Sequence, residues 1–596
     1  YTWDLTTRYA DVAAWEADFA AAQTAVRDLA GRKAAPLDDP AALAALLALR
    51  DDTRWQVDKL VVYASQLSDQ DTRDNAALAL KNRAVTLQVA YGQAAAWIEP
   101  RLLALPAERL REWVAREPAL RVYAHYVNNV LRQAPHTLSA REEELLAMAG
   151  NLAASPEDTF NVLRSAELPW PTIRDETGQE VRLSPARYDR FIRSPDRRVR
   201  REAFLGAMSA AAAFQNTFAS TFNGAVQRNL YYAQARGFES ALEAVLFPDN
   251  VPVAVYRNLV ETTGRHLPLL HRWAALRKRV CGYDELHVYD LYQPLVVGGA
   301  AEVPYDEAAA RITAAVAPLG PEYQETLRRG LAARWVDVYE TQGKRPGGYS
   351  WGSYETQPYI LINYNGTPRD VSVLAHELGH SLHSLFTHRS QPKVYGEYSS
   401  FVAEVPSILN ELLLEDWQLA QAAAPQARLV LLNEMIDNLV GTLFRQVAFA
   451  EFEYEAHALA QRGEALTAER LGRLYQEIFQ RHWGPALTPD PENAVYWARI
   501  PHFYMNHYVF RYATSYCAAT AIGAGILEQR PGAVAAYLGL LKAGSSDDPL
   551  VLLRNAGVDL TTPAPIEATM QRFARLLDEF EQLLPAAGPG PAPAAR

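Results

Sequence analysis

Apolar residues recur at spacings of three and four along most of the chain, the pattern of helices that bury one face. It predicts helices over Asp38–Leu49, Trp55–Leu67, Asn75–Ile98 and Pro118–Arg132. The pattern resumes over Arg198–Gln234, Phe238–Leu246, Val253–Val280 and Tyr305–Val336, broken at Pro318 and Pro321, and again over Leu429–Arg462. Within Asn75–Ile98 the expected core-facing stripe is Leu78, Val85 and Val89, flanked by Leu80, Leu87 and Ala94. Strand signals are few. Val181–Leu183 beside Gly178 reads as a short strand or hairpin, and His287–Val297 as an extended segment limited by Pro294. Tyr359–Tyr364 reads as a strand that follows a glycine- and tyrosine-rich loop.

The expected fold is therefore mainly α, with a small β element just ahead of one helix. A soft boundary between Pro185 and Arg200 divides a helical N-terminal domain, 1–195, from a second domain, 196–584. The Pro/Gly/Ala-rich stretch 585–596 is expected to be a disordered tail.

Composition narrows the function classes. A formal net charge of -11 argues against nucleic acid as a partner, because such partners select a concentrated basic face. No apolar run approaches the roughly 18 residues that span a bilayer, so no membrane association is expected. The two cysteines, Cys281 and Cys517, stand far apart and outside any Cys/His grouping, which fits a reducing, cytoplasmic setting. Nothing in the sequence sets the oligomeric state.

The chemistry concentrates on one predicted helix, from about Pro368 to Phe386, with Thr367 as N-cap, Pro368 at its first position and Asp370 at the third. Val371, Leu374, Leu378, Leu382 and Leu385 step along one face; His376, His380 and His383 form another stripe. Two histidines four apart close on one metal ion, and Glu377 between them reaches the water on that ion: this is the HExxH arrangement of zinc hydrolases. A catalytic zinc takes three protein ligands, so one is still to be found. His388 and Glu397 fall in loop-like positions, whereas Glu404 and Glu411 share a helical face seven residues apart. Spacing favours Glu404 as ligand, with the other glutamate holding the free ring nitrogen of a ligand histidine; Pro406 sits awkwardly unless it lies in a first turn. Downstream, His502–Tyr512 packs two histidines and three tyrosines together, a supply of hydrogen-bond donors for an oxyanion.

Three runs carry a family resemblance. They are Gly347-Gly348-Tyr349-Ser350 with Gly352-Ser353-Tyr354 and the strand after Pro358; His376-Glu377-Leu378-Gly379-His380-Ser381-Leu382-His383; and Phe401-Val402-Ala403-Glu404-Val405-Pro406-Ser407. Together they resemble the oligoendopeptidase F branch of the thimet-oligopeptidase-like zinc metallopeptidases. The resemblance implies a large helical zincin-type body with a deep substrate channel, one catalytic zinc on His376, His380 and Glu404, and Glu377 as general base. It implies His502 and Tyr508 as donors to the transition state, although the register of that segment leaves Tyr504, His507 and Tyr512 open. Gly352, Tyr354, Tyr359 and Tyr512 are the expected substrate-binding residues, with the strand from Tyr359 holding the peptide extended; His383 and Glu411 are expected behind the ligands.

The function read from this is zinc-dependent endopeptidase hydrolysis of short oligopeptides. A dipeptide-releasing carboxypeptidase is the alternative, with Arg511 as the cation for a substrate C-terminus. A peptide-binding scaffold without catalysis is a third reading, disfavoured by the intact His376, Glu377, His380 and Glu404.

Overall fold

The computed structural model describes residues 1–296 and 302–584, with the side chains at 140 and 151 left aside. Among these residues the secondary structure is overwhelmingly helical. The chain forms two compact units, and each is built from three separate stretches. The first comprises Tyr1–Pro135, Ala300–Trp417 and Ala519–Val558; the second comprises His136–Gly299, Gln418–Ala518 and Asp559–Arg596. The boundary expected near 195 thus lies inside the second unit, because the chain crosses between units more than once and a linear reading sees only local breaks.

In the first unit, Asp38–Leu49 and Trp55–Leu67 belong to one helix, Pro40–Gln70, capped by the Asp39 side chain. The helix Asn75–Ala95 packs on it through Ala77, Leu80, Ala84, Leu87 and Ala94. Leu78, Val85 and Val89, expected in the core, are exposed. The alanines decide the face: they let two helices approach closely, and weighting the larger valines selects the wrong stripe. Pro118–Arg132 divides into a 3-10 turn, Pro118–Tyr123, and a helix, Ala124–Gln133. The break at the prolines near 318 is as expected, between Tyr305–Ala315 and Pro321–Ala332.

Strands β1 (Thr172–Arg174) and β2 (Glu180–Arg182) make a hairpin in the second unit, with Gly178 at a φ of 86° in its turn. The first unit holds a three-stranded sheet of β3 (Val336–Asp337), β4 (Tyr349–Trp351) and β5 (Tyr359–Leu361). Its order is β3-β5-β4, parallel on one side of β5 and antiparallel on the other. Bonding with β3 continues past β5 to Tyr364, whose N–H donates to Val338 at 2.9 Å.

In the second unit, Arg198–Gln234 is two helices, Arg197–Ala212 and Gln215–Ala235, and Val253–Val280 is interrupted at His266. Residues 287–296, expected to be extended, contain instead the 3-10 turn Val288–Asp290, where the Asp290 carboxylate accepts from the His287 N–H at 3.1 Å. Asp290 is fully buried between Arg197 and Arg200, at 2.8 and 3.0 Å, and that charge demand bends the chain where alternation alone suggests a strand. Val297 and the tail 585–596 lie outside the described residues.

The helix Pro368–Ser390 is the first unit's central element. Its N-terminus is a capping box: Thr367 Oγ1 accepts from the Asp370 N–H at 3.2 Å, and Asp370 Oδ2 accepts from the Thr367 N–H at 3.0 Å. Val371, Leu374, Leu378, Leu382 and Leu385 are all buried. Leu374→Ala is expected to cost about 2–5 kcal/mol through the cavity it leaves, and Thr367→Ala about 1 kcal/mol through the lost cap. Thermal unfolding should therefore rank Leu374→Ala well below Thr367→Ala; equal melting temperatures would contradict the packing described.

Candidate active site

The long capped helix places His376 and His380 one turn apart, opposite the buried leucine stripe. Glu404 opens the next helix, Glu404–Gln421. Pro406 therefore falls in a first turn, where a missing N–H costs nothing. The two helices meet at Gly379: a Cβ there would lie 2.6 Å from the Pro406 carbonyl oxygen and 2.6 Å from Ser407 Cα. Only glycine allows this approach, and the approach brings Glu404 to the histidines.

His376 Nε2 and His380 Nε2 stand 3.1 Å apart, and Glu404 Oε2 lies 3.4 Å from each. A tetrahedral zinc with bonds near 2.0–2.1 Å separates its donors by about 3.3 Å. The three atoms thus already have the spacing of ligands on one ion, and they form a candidate metal cluster. The donor chemistry agrees, since two imidazoles and a carboxylate are a common catalytic zinc set.

A layer of hydrogen bonds aims these donors. His376 Nδ1–H donates to Glu411 Oε1 at 2.5 Å, and Glu411 Oε2 accepts from Ser372 Oγ at 3.1 Å. That bond turns the lone pair of Nε2 towards Glu404. Ser407 Oγ donates to Glu404 Oε2 at 3.1 Å. Asn410, buried on the same helix, donates to the Ala375 carbonyl at 3.0 Å and accepts from Tyr323 at 2.8 Å. Burial alone would lower His376, but the bonds and charges of Glu404 and Glu411 raise it to about 10. Burial would likewise raise Glu404, and the two histidines hold it well below the carboxylate range instead. The pocket therefore favours positive charge. Glu377, 8% exposed, is raised above the ordinary carboxylate range, chiefly by burial, against the lowering pull of His380 and His376.

Other expected residues fall differently. Glu397 pairs with Arg54, and the His388 ring packs against Trp55 and Tyr354, so neither joins the ligands. His383, expected behind the ligands, stacks on Tyr398 with ring centres 3.6 Å apart and makes no hydrogen bond to them. It shares their helical face, but Tyr398 claims its ring. Tyr359 does not line a substrate surface: it is fully buried, bonded through its hydroxyl to Thr7 and the Asp4 carbonyl, with Arg8 over its ring. Its strand is central, with both edges paired, so it has no room for a peptide strand. The open edge on the metal-helix side belongs to β4. Because Ile360 N–H donates to Trp335 across β3, its antiparallel partner Ser350 turns its own N–H and C=O away from β5. Ser350 Oγ is 2.7 Å from Ser381 Oγ, one residue past His380. Gly352 packs closely on Pro358, whose Cα would lie 3.0 Å from a Cβ; the half-buried Tyr354 donates its hydroxyl to the Gln391 carbonyl at 2.7 Å. Ser350, Ser372, Ser381 and Ser407 were not distinguishable in the sequence, where a serine near a motif carries no signal of its own.

His502, Tyr508 and Tyr512 lie in the second unit. Pro501–Tyr504 is a 3-10 turn and the following helix starts only at Phe510, so Tyr508 precedes that helix and Tyr512 lies in its first turn. Their rings still meet at 5.5 Å, and Tyr512 meets His502 at 6.1 Å. Tyr504 is buried, its hydroxyl 2.7 Å from Thr221 Oγ1, and His507 is buried too. Of the register alternatives, only Tyr512 joins His502 and Tyr508 in a partly open cluster. Arg511 is ion-paired to Asp249 at 3.3 Å.

Gly379→Ala should force the two ligand helices apart and weaken zinc binding by roughly 10–100-fold, the scale on which supporting contacts act. A competitive chelator titration reads this directly, and an unchanged affinity would contradict the close-contact account.

Known proteins resemble the chain along nearly its whole length. The profile of Peptidase family M3 matches residues 190–572, and that of Oligopeptidase F matches 101–169. Oligopeptidase PepF of Bacillus subtilis is 41% identical over 583 residues, 98% of this chain and 87% of that protein. Group B oligopeptidase PepB of Streptococcus agalactiae is 37% identical over 98% of this chain and 97% of its own. The crystal structure of oligoendopeptidase-F from Enterococcus faecium superposes with a TM-score of 0.75 at 35% identity, covering 96% of this chain and 99% of that one. The chain belongs to peptidase family M3, in its oligoendopeptidase F branch.

Proposed function

We propose that the protein is a zinc-dependent endopeptidase that hydrolyses peptide bonds in short oligopeptides. The observation that carries this reading is the donor triangle of His376, His380 and Glu404, with edges of 3.1, 3.4 and 3.4 Å beside the buried Glu377. The named activities of the relatives, an oligopeptidase and an oligoendopeptidase, support it.

Zinc, when bound, polarises the scissile carbonyl and acidifies the attacking water. Glu377 takes that water's proton and passes it to the leaving amine; its burial makes it a stronger base than an exposed glutamate. Glu411 keeps His376 in the tautomer that presents Nε2. The outward-facing N–H and C=O of Ser350 offer the substrate backbone the edge of β4, recognition by strand addition. In the second unit, His502 and Tyr508 form a partly open cluster with Tyr512, which packs against both rings. Burial and the Arg164 charge lower His502 below the ordinary imidazole range. The two cysteines are unpaired, in keeping with a cytoplasmic location. Among the described residues no helix is long and apolar enough to cross a membrane.

A carboxypeptidase reading needs a free cation for the substrate C-terminus, and Asp249 already neutralises Arg511. The endopeptidase should therefore cleave a peptide amidated at its C-terminus as fast as the free acid; loss of cleavage on amidation would favour the carboxypeptidase. Glu377→Gln should keep its zinc and lower kcat by about 10²–10⁴-fold or more, measured on a quenched fluorescent peptide with metal content in parallel. Full turnover in that variant would overturn the mechanism.

A further inference from the structure

A second cluster of metal-ligating side chains lies wholly within the second unit. Glu453 and His457 sit four apart on the helix Arg445–Gln461 and so share a face. His507 reaches them from the turn before Phe510. Asn506 and His507 hold φ angles of 49° and 54°, a left-handed conformation that non-glycine residues seldom adopt in succession. That turn points the His507 ring inward, 4.4 Å from the ring of His457. The ligand atoms of the three residues all lie within 4.8 Å of one another. Glu453 is 0%, His457 4% and His507 1% exposed.

Their hydrogen bonds leave Glu453 Oε2 and the His507 ring unsatisfied. Glu453 Oε1 accepts from the His507 N–H at 2.6 Å, and Glu453 Oε2 has no partner among the described residues. His457 Nδ1–H donates to the Glu453 carbonyl at 2.8 Å, which leaves Nε2 as the lone-pair nitrogen. Asn229 Nδ2 lies 3.1 Å from that nitrogen, its own Oδ1 held by Arg228 at 3.1 Å. Neither ring nitrogen of His507 has a partner among the described residues. A pair sharing a proton would show a carboxyl–imidazole hydrogen bond, and Oε2 makes none. Polar atoms buried without partners this close together are costly unless a cation lies within their reach.

We propose that Glu453, His457 and His507 bind a second divalent cation of the zinc class, distinct from the catalytic one. Two imidazoles and one carboxylate suit zinc. The widest donor pair would draw in by at most roughly 1.5 Å to reach tetrahedral spacing, and the ion would displace Asn229 from His457 Nε2. Buried on all sides, the ion has a structural role: it ties the Arg445–Gln461 helix to the turn that immediately precedes Tyr508.

The test uses the full chain carrying His376→Ala and His380→Ala, which removes the first triangle. After zinc loading and exhaustive dialysis, this variant should hold about one zinc per chain, against about two for the unmodified protein. Adding His507→Phe, or separately Glu453→Gln, should abolish the remaining equivalent. In cobalt-loaded protein the same substitutions should abolish the visible ligand-field bands. EDTA should lower the melting temperature of the double variant and leave that of the triple variants unmoved, which separates metal loss from misfolding. A zinc-free double variant would overturn the proposal, as would zinc retained in both triple variants. If the unmodified protein and the double variant each hold one zinc, the second site stands and the catalytic assignment fails. If the unmodified protein holds one and the double variant none, the catalytic assignment stands and the second site fails.

Discussion

The contact at Gly379 governs the site. Two helices, one carrying both histidines and the other opening on Glu404, touch there backbone to backbone, closer than any side chain permits. The leucine stripe on the far side of the first helix anchors it in the core, and Asn410 bonds the second helix to the carbonyl of Ala375. Rigid elements held this way keep three donor atoms within a few tenths of an ångström of metal-ligand spacing.

Charge explains why this gathering of carboxylates is tolerated. Glu377, Glu404 and Glu411 converge on two imidazoles, and the balance favours a cation among them. Each glutamate is differentiated by its neighbours. Glu404 faces both Nε2 atoms, Glu411 holds Nδ1 of His376, and Glu377 has no hydrogen bond to either ring. The same logic separates strands that look alike in sequence. β5 is the more hydrophobic and therefore central and saturated, while β4, with a serine at its middle, keeps an open edge next to the metal helix.

Much of this was legible in the sequence, because it rests on local rules. The capping residues of the Pro368–Ser390 helix, its leucine stripe, the histidine spacing and the seven-residue offset of Glu404 and Glu411 are short-range patterns, and they appear where the pattern places them. What was not legible depends on partners distant in sequence. The buried face of Asn75–Ala95 is chosen by alanines that fit a neighbouring helix, and the sealing of Tyr359 by the N-terminal segment around Asp4 and Thr7. His383 shares the histidine stripe in sequence and is claimed by Tyr398 in space. Around His502, two left-handed residues, Asn506 and His507, separate the Pro501–Tyr504 turn from the helix that starts at Phe510, and no short-range pattern announces them.

The central claim is that the Gly379 contact shapes a three-ligand zinc centre, and diffraction from crystals of the zinc-loaded protein across the zinc absorption edge tests it most directly. The account predicts an anomalous peak about 2.0–2.2 Å from His376 Nε2, His380 Nε2 and a carboxylate oxygen of Glu404, with Glu411 still bonded to His376 Nδ1. A peak missing from that triangle, or one that takes Glu411 in place of Glu404, would contradict it.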